Sequence, residues 1–223
     1  MSDDHAIVAT VAAYYTGKLR AHGATPRGVD WRDAESQLRR FDQLLLLLRD
    51  HPGGALVDIG CGYGELLRHM RSKGYGNRYV GVDIAEEMLA AAAAAHGGDG
   101  NAAFERGTLP LEPADFAVAS GIFNLRIGFD IGSWETYVLA MLDGLDRSGR
   151  RGFAFNCLTA YSDPALMRSD LFYADPAAYF DLCKRRYSRQ VALLHDYGLY
   201  EFTIIVRKNE AEKAIDRADR GAG

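Results

Sequence analysis

The sequence predicts an α/β fold: a doubly wound sheet of seven strands, mostly parallel with an antiparallel last strand, preceded by a helical cap. Three observations carry this. From residue 55 onward, short apolar runs alternate with helical stretches, the pattern of a parallel sheet covered on both faces. Near the end, two long β-rich runs flank "HDYG", a hairpin signal that turns the last strand against its neighbours. The length of 223 residues, 48% of them hydrophobic and 25% charged, suits a single domain with a full core.

In chain order, residues 5–21 suit a helix, and "HGATPRGVDW" at 22–31 is a connector punctuated by Gly and Pro. A second helix is expected over 33–50, where Leu38, Phe41, Leu44, Leu45 and Leu48 recur at helical spacing. Residues 1–50 therefore form the cap. Strands are expected at 55–60, 79–84, 102–107, 115–121 and 152–158, with helices at 64–73, 86–95, 133–146 and 176–186. The alanine run at 90–95 is a helix former by propensity. The sheet region spans 51–208, and the charged tail at 209–223 has no core-facing pattern.

A formal net charge of −4 provides no general field for a phosphate backbone or an anionic membrane, so neither nucleic acid nor membrane is expected as partner. Arg150-Arg151 and Lys184-Arg185-Arg186 read as solvated surface. Cys61, Cys157 and Cys183 are far apart, with no CxxC pair and no metal-ligand spacing, so reduced thiols and no metal site are expected. The N-terminus carries acids where a secretory signal needs positive charge, and no apolar run approaches the roughly 18 residues of a membrane span. A cytoplasmic protein is expected. Spacing encodes no oligomeric state.

The stretch that carries chemistry is "ALVDIGCGYGELLRHM", residues 55–70: a strand, three glycines at every second position, then an amphipathic helix. Such a turn holds a ligand against bare backbone, and spacing selects among nucleotide triphosphates, dinucleotides and S-adenosylmethionine (SAM). A Walker loop, GxxxxGK[ST], is absent. The dinucleotide fingerprint GxGxxG needs a third glycine where Glu65 stands, and that carboxylate opposes a pyrophosphate.

Asp58-Ile59-Gly60-Cys61-Gly62-Tyr63-Gly64 resembles instead the acidic-xGxGxG signature of class I SAM-dependent methyltransferases. Asp83 closes the next strand, where that family places an acid for both ribose hydroxyls, a two-bond, charge-assisted contact. The terminal hairpin, a hallmark of that Rossmann-like fold, extends the resemblance over about residues 50–208. The resemblance implies the strand order 3-2-1-4-5-7-6, SAM as cofactor and S-adenosylhomocysteine (SAH) as product. It implies cofactor contacts at Asp58, Gly60, Cys61, Gly62, Gly64, Asp83, Ile84, Thr108, Leu109, Ser120 and Gly121. Many relatives carry an acid after the third strand for the adenine amino group; here Gly107 and Thr108 stand there, leaving that contact to the Thr108 hydroxyl or to backbone.

Methyl transfer from a sulfonium is an in-line displacement, so the protein must position the nucleophile and, for some acceptors, remove its proton. The fourth strand ends in "SGIFNLR", without the [DN]PP[FY] motif used on amino groups of bases or glutamine. Phe123 and Asn124 beside it are candidate acceptor contacts. The hairpin turn brings His195, Asp196 and Tyr197 to the same sheet edge, making His195 the first candidate base and His22, in the cap connector, the second. Tyr14, Tyr15 and Trp31 form a candidate aromatic lid, while Gln37 and Arg40, three residues apart on one helix, are candidates for the methionine carboxylate. The stretch 160–176 is long and aromatic, with Tyr161, Arg168 and Tyr173 as polar candidates to cover an acceptor. The expected activity is O-methylation of a hydroxyl or carboxyl group on a small metabolite or sugar. The competing readings are N- or C-methylation, a SAM- or nucleoside-binding regulatory module without turnover, and a dinucleotide oxidoreductase.

Overall fold

The computed structural model describes residues 3–51 and 53–208; the charged tail expected at 209–223 lies outside them. The chain opens with α1 (Asp3–His22), a 3-10 turn over Pro26–Val29, and α2 (Ala34–Leu45). The sheet region then runs β1 (Leu56–Ile59), α3 (Glu65–Ser72), β2 (Tyr79–Asp83), α4 (Glu86–His96), β3 (Ala102–Arg106), β4 (Ala114–Ala119), α5 (Ile131–Ser148), β5 (Gly149–Leu158), α6 (Pro176–Arg186), β6 (Gln190–Leu194) and β7 (Glu201–Arg207).

The seven strands form one sheet in the order β3-β2-β1-β4-β5-β7-β6. β7 pairs antiparallel with both β5 and β6, and all other pairs are parallel. Order and direction agree with expectation. Alternation along β1 sends side chains to the two faces. Val57 and Ile59 join one layer with Trp134, Leu142 and Phe153, while Leu56 joins the other with Leu44, Leu67 and Phe116. Each such side chain, once fully buried, contributes about 1.5–3 kcal/mol.

Boundaries differ where a turn or a cap decides them. β1 stops at Ile59 and β4 at Ala119 because Gly60 and Gly121 enter the left-handed region, with φ 75° and 73°. The second helix, expected to run to 50, ends at Leu45 and tightens into a 3-10 turn over Leu46–Leu48, a common form of helix terminus. Its start is capped by Asp33, whose carboxylate accepts from the Ser36 N–H at 2.7 Å. α5 begins at Ile131, two residues earlier than expected, with Asp130 accepting from the Ser133 N–H. β5 starts at Gly149, three residues early, through a register shift between Ala114 and Phe116.

The cap folds onto the sheet and completes its cores. Ile7 of α1 is fully buried among the α5-side residues, and Phe41, Leu44 and Leu45 of α2 pack on the opposite face. Tyr63, Ala85 and Met88 meet Tyr15, Leu19 and Val29 in a third cluster, which ties the cap to the glycine turn. No helix among the described residues is long and apolar enough to cross a membrane.

Candidate active site

The glycine turn and the neighbouring strand end are locked to each other by backbone. The N–H groups of Gly60 and Cys61 both donate to the Val82 carbonyl, at 2.8 and 3.0 Å. Asp83 accepts from the Gly62 N–H through Oδ2 and from the Ala85 N–H through Oδ1, each at 2.8 Å. Each carboxylate oxygen keeps a second lone pair for a ligand. Burial raises the Asp83 carboxyl above its ordinary range, opposed by these N–H groups. In β1, Asp58 is 2% exposed and accepts a 2.6 Å hydrogen bond from the Tyr79 hydroxyl. Burial pushes its carboxyl up to about 7, with the Asp83 charge adding to the effect and the Tyr79 bond opposing it.

These groups form one wall of a cleft whose empty space, including its opening to solvent, is about 930 Å³. Val11 and Tyr15 of α1, Val29 and Trp31 of the connector, and Gln37 and Phe41 of α2 close it from the cap side. Ile84, Met88, Gly107 and Thr108 line one end, with Ser120, Gly121, Ile122, Tyr137 and Met141 on the far wall. Two glycines are indispensable to this shape. A Cβ at Gly60 would stand 2.3 Å from Ile122 Cγ2, and one at Gly121 would stand 2.5 Å from the Trp31 ring.

The side chains expected at the site divide into two groups. Asp58, Gly60, Cys61, Gly62, Asp83, Ile84, Thr108, Ser120, Gly121 and Gln37 line the cavity, as do Tyr15 and Trp31 of the expected lid. Gly64 instead caps α3 at φ 83°, and Leu109 packs against Gly144 in the core. Arg40 is taken by a partner distant in sequence: its Nε donates to Glu201 at 2.6 Å, and its guanidinium lies 4.1 Å from the Trp31 ring centroid. Trp31, Arg40 and Glu201 thus stack outward from the cavity.

That stack explains why the hairpin turn stays outside. His195 is exposed, with its ring near Tyr161 and Phe202, and it does not line the cavity. Tyr197 shares a hydrogen bond with Thr203 at 3.1 Å, and burial holds its hydroxyl in the neutral form. His22 is exposed at the end of α1. Tyr14 turns from the lid to Asp30, donating to Oδ2 at 2.5 Å beside Lys18. Phe123 is fully buried against Phe155, so it is a core residue rather than an acceptor contact. Asn124 holds Glu201 and the Leu158 N–H.

The stretch 160–176 binds the β4–α5 loop instead of covering the cavity. Arg126 and Ile127 N–H groups donate to the Asp170 carbonyl, the Phe172 N–H donates to the Asn124 carbonyl, and Leu125 bridges Leu171. Within it, Arg168 pairs with Asp170 and its N–H donates to the Tyr173 hydroxyl, while Tyr161 is 71% exposed. Conversely, Phe41, Tyr137 and Met141 line the cavity without having been singled out. The signal was helical spacing: Gln37 and Phe41, like Tyr137 and Met141, stand four apart on one helix face.

A mostly parallel sheet with a glycine turn, an acid at the neighbouring strand end and a cap over both defines a protein that binds a nucleoside cofactor at the carboxyl edge of its strands. The family described as a methyltransferase domain matches residues 56–149. Rv1506c of Mycobacterium tuberculosis, a protein assigned as a methyltransferase, is 55% identical over 154 residues, 69% of this chain and 93% of that protein. Malonyl-[acyl-carrier protein] O-methyltransferase of Pectobacterium atrosepticum is 34% identical over 96 residues, 43% of this chain and 36% of that enzyme. Among solved structures, 1,6-didemethyltoxoflavin-N1-methyltransferase of Burkholderia thailandensis with bound SAH superposes with a TM-score of 0.63 at 17% identity, over 92% of this chain and 90% of that one. The chain belongs to the class I SAM-dependent methyltransferases, and its cofactor is SAM.

The cavity suits that cofactor on its own observations. Gln37 Oε1 and Ser120 Oγ are buried without a hydrogen-bond partner at its wall, and Arg40 Nη1 is buried without one behind Trp31. Buried polar atoms left unpaired cost about 1–3 kcal/mol each, which a polar ligand relieves. The glycine cradles at 60 and 121 leave backbone open for close approach.

Proposed function

We propose that this methyltransferase acts on a small molecule and transfers the methyl group to an oxygen that is ionised before it binds, a carboxylate. The observation that carries this reading is the composition of the cavity wall. Among the described residues it contains no histidine, lysine or arginine. Its phenols are poor bases: burial pushes the Tyr63 hydroxyl up to about 12 and raises Tyr15 further. A hydroxyl acceptor would find no imidazole or amine there to take its proton, and the Asp58 and Asp83 carboxylates are held by the Tyr79 hydroxyl and by backbone N–H groups, whereas a carboxylate acceptor has no proton to lose. The similarity to an enzyme named for O-methylation of a malonyl group supports the same atom type.

When bound, SAM supplies an activated methyl group on a sulfonium leaving group. The protein's part is placement and exclusion of water. Asp83 offers its free lone pairs to vicinal hydroxyls, and the glycine turn offers bare backbone. Thr108 and Ile84 line the same cavity next to Asp83, where the adenine would lie. Gln37 Oε1 and Ser120 Oγ accept N–H donors of the amino-acid end. Val11, Tyr15 and Trp31 cover the cavity, which favours a compact acceptor over a polymer. The net charge of −4 also weighs against a nucleic-acid partner.

The test is incubation with methyl-labelled SAM and separate pools of carboxylic acids, alcohols and phenols, and amines. A carboxylate acceptor yields methyl esters that mild alkali releases as labelled methanol. Label found only in alkali-stable products refutes the carboxylate reading. Tight cofactor binding with no labelled product from any pool would favour the regulatory module.

A further inference from the structure

Behind the cavity wall lies a charge pair that does not itself line it. Arg40 of α2 and Glu201 at the start of β7 are 8% and 1% exposed, and the Arg40 Nε donates to Glu201 at 2.6 Å across 161 residues of chain. The other carboxylate oxygen of Glu201 accepts from the Asn124 amide at 3.4 Å, and Asn124 Oδ1 accepts in turn from the Leu158 N–H at 3.0 Å. One buried carboxylate thus ties the cap to the carboxyl ends of β4 and β5 and to the start of β7.

The face of the Arg40 guanidinium is turned to Trp31, 4.1 Å from the ring centroid. The six-membered part of the same ring rests on Gly121, so closely that a Cβ there would stand 2.5 Å from Cζ2 and Cη2. Gly121 is itself fixed, its N–H donating to Asn156 Oδ1 at 2.7 Å. Trp31 is therefore held between a cation and a strand end, and from that place it lines the cavity with Gln37, Ser120 and Gly121.

As a source of stability this arrangement is poor. Taking two charges out of water offsets most of their attraction, and buried pairs exchanged for uncharged residues of similar volume often leave stability unchanged or higher. Burial raises the Glu201 carboxyl, against the Arg40 guanidinium and the Asn124 amide, which favour its charged form. What the pair supplies and apolar residues do not is direction: the guanidinium is a rigid plane, and fixing Nε fixes the plane on which the indole lies. We propose that Arg40 and Glu201 are positioning residues for methyl transfer, acting through Trp31: the pair orients the guanidinium, the guanidinium seats the ring on Gly121, and the ring closes the cavity over the cofactor. The inference rests on SAM occupying this cavity and is independent of the acceptor's chemistry.

The experiment is a double-mutant cycle on the full chain, read by calorimetric titration with SAM and with SAH. Its corners are the wild type, Arg40→Met with Glu201→Gln, which removes both charges together at nearly constant volume, Trp31→Ala, and all three changes combined. Replacing the pair is expected to weaken SAM and SAH alike by about tenfold, Trp31→Ala by a similar factor, and the combination by no more than about twofold beyond Trp31→Ala alone. In a Trp134→Phe background, replacing the pair also shifts the Trp31 emission to the red as the ring leaves its seat. A folded pair variant that binds SAM within about twofold of wild type overturns the proposal, and so does a loss of the same size whether or not Trp31 is present, the mark of a merely structural role. If the pair variant does not fold, Arg40→Lys decides: it keeps a charge beside Glu201 but offers the ring no plane, so SAM is expected to weaken about tenfold, and binding within about twofold of wild type overturns the proposal. Wild-type protein that binds neither SAM nor SAH overturns the placement of the cofactor and the inference with it. No acceptor enters these titrations, so the carboxylate reading stands or falls separately.

Discussion

Replacing Asp58 with asparagine is expected to stabilise the cofactor-free protein above neutral pH. Burial, which disfavours the charge, holds the carboxyl at about 7 in the fold against 3.8 for an ordinary aspartate. Between those values the folded state holds a proton that the unfolded state has lost. Stability therefore falls as pH rises from about 4 to about 7 and stays at the lower level beyond. A shift of about 3 units corresponds to about 4 kcal/mol carried by the free protein at pH 8. Asparagine carries no charge and still accepts the Tyr79 hydroxyl through Oδ1, but its amide N–H groups gain no assigned partner, at a cost of about 1–3 kcal/mol. The net gain at about pH 8 is about 1–3 kcal/mol, and the variant is the less stable protein at about pH 4.5. Urea unfolding at both pH values measures this. A stability difference between the two proteins that does not change with pH refutes the reasoning.

Three further outcomes follow from the same geometry. Phe123→Ala removes a fully buried ring packed on Phe155 and lowers stability by about 3–5 kcal/mol in chemical denaturation, while the apparent SAM affinity of the folded fraction stays within about twofold. Gly121→Ala costs about 1–2 kcal/mol for its left-handed backbone and drives the Trp31 ring from 2.5 Å contact, which weakens SAM binding and alters the Trp31 fluorescence in a Trp134→Phe background. His195→Ala leaves turnover on the identified acceptor within about twofold across pH; a loss of several hundredfold would mean that the imidazole reaches the acceptor and that a hydroxyl is the nucleophile.

What sequence made legible was whatever rests on local chemistry. The glycine turn, the acid closing β2 and the hairpin that reverses β7 are each set by residues within a few positions of one another, through backbone angles and strand-end geometry. The second cap helix was legible too, through its apolar spacing. What escaped were pairings across the chain. Arg40 has the spacing of a residue facing a ligand beside Gln37, but Glu201, 161 residues later, takes its Nε, and only the sheet order brings β7 under α2. The aromatic stretch 160–176 has the composition of a lid, yet its backbone finds partners in the β4–α5 loop. The two displacements are connected. With Arg40 stacked on Trp31 and anchored by Glu201, the Trp31 ring becomes the cavity wall, and the hairpin turn carrying His195 falls on the far side of it. The buried Arg40–Glu201 pair thus separates the His195 turn from the cavity, which is what the proposed carboxylate acceptor requires of it.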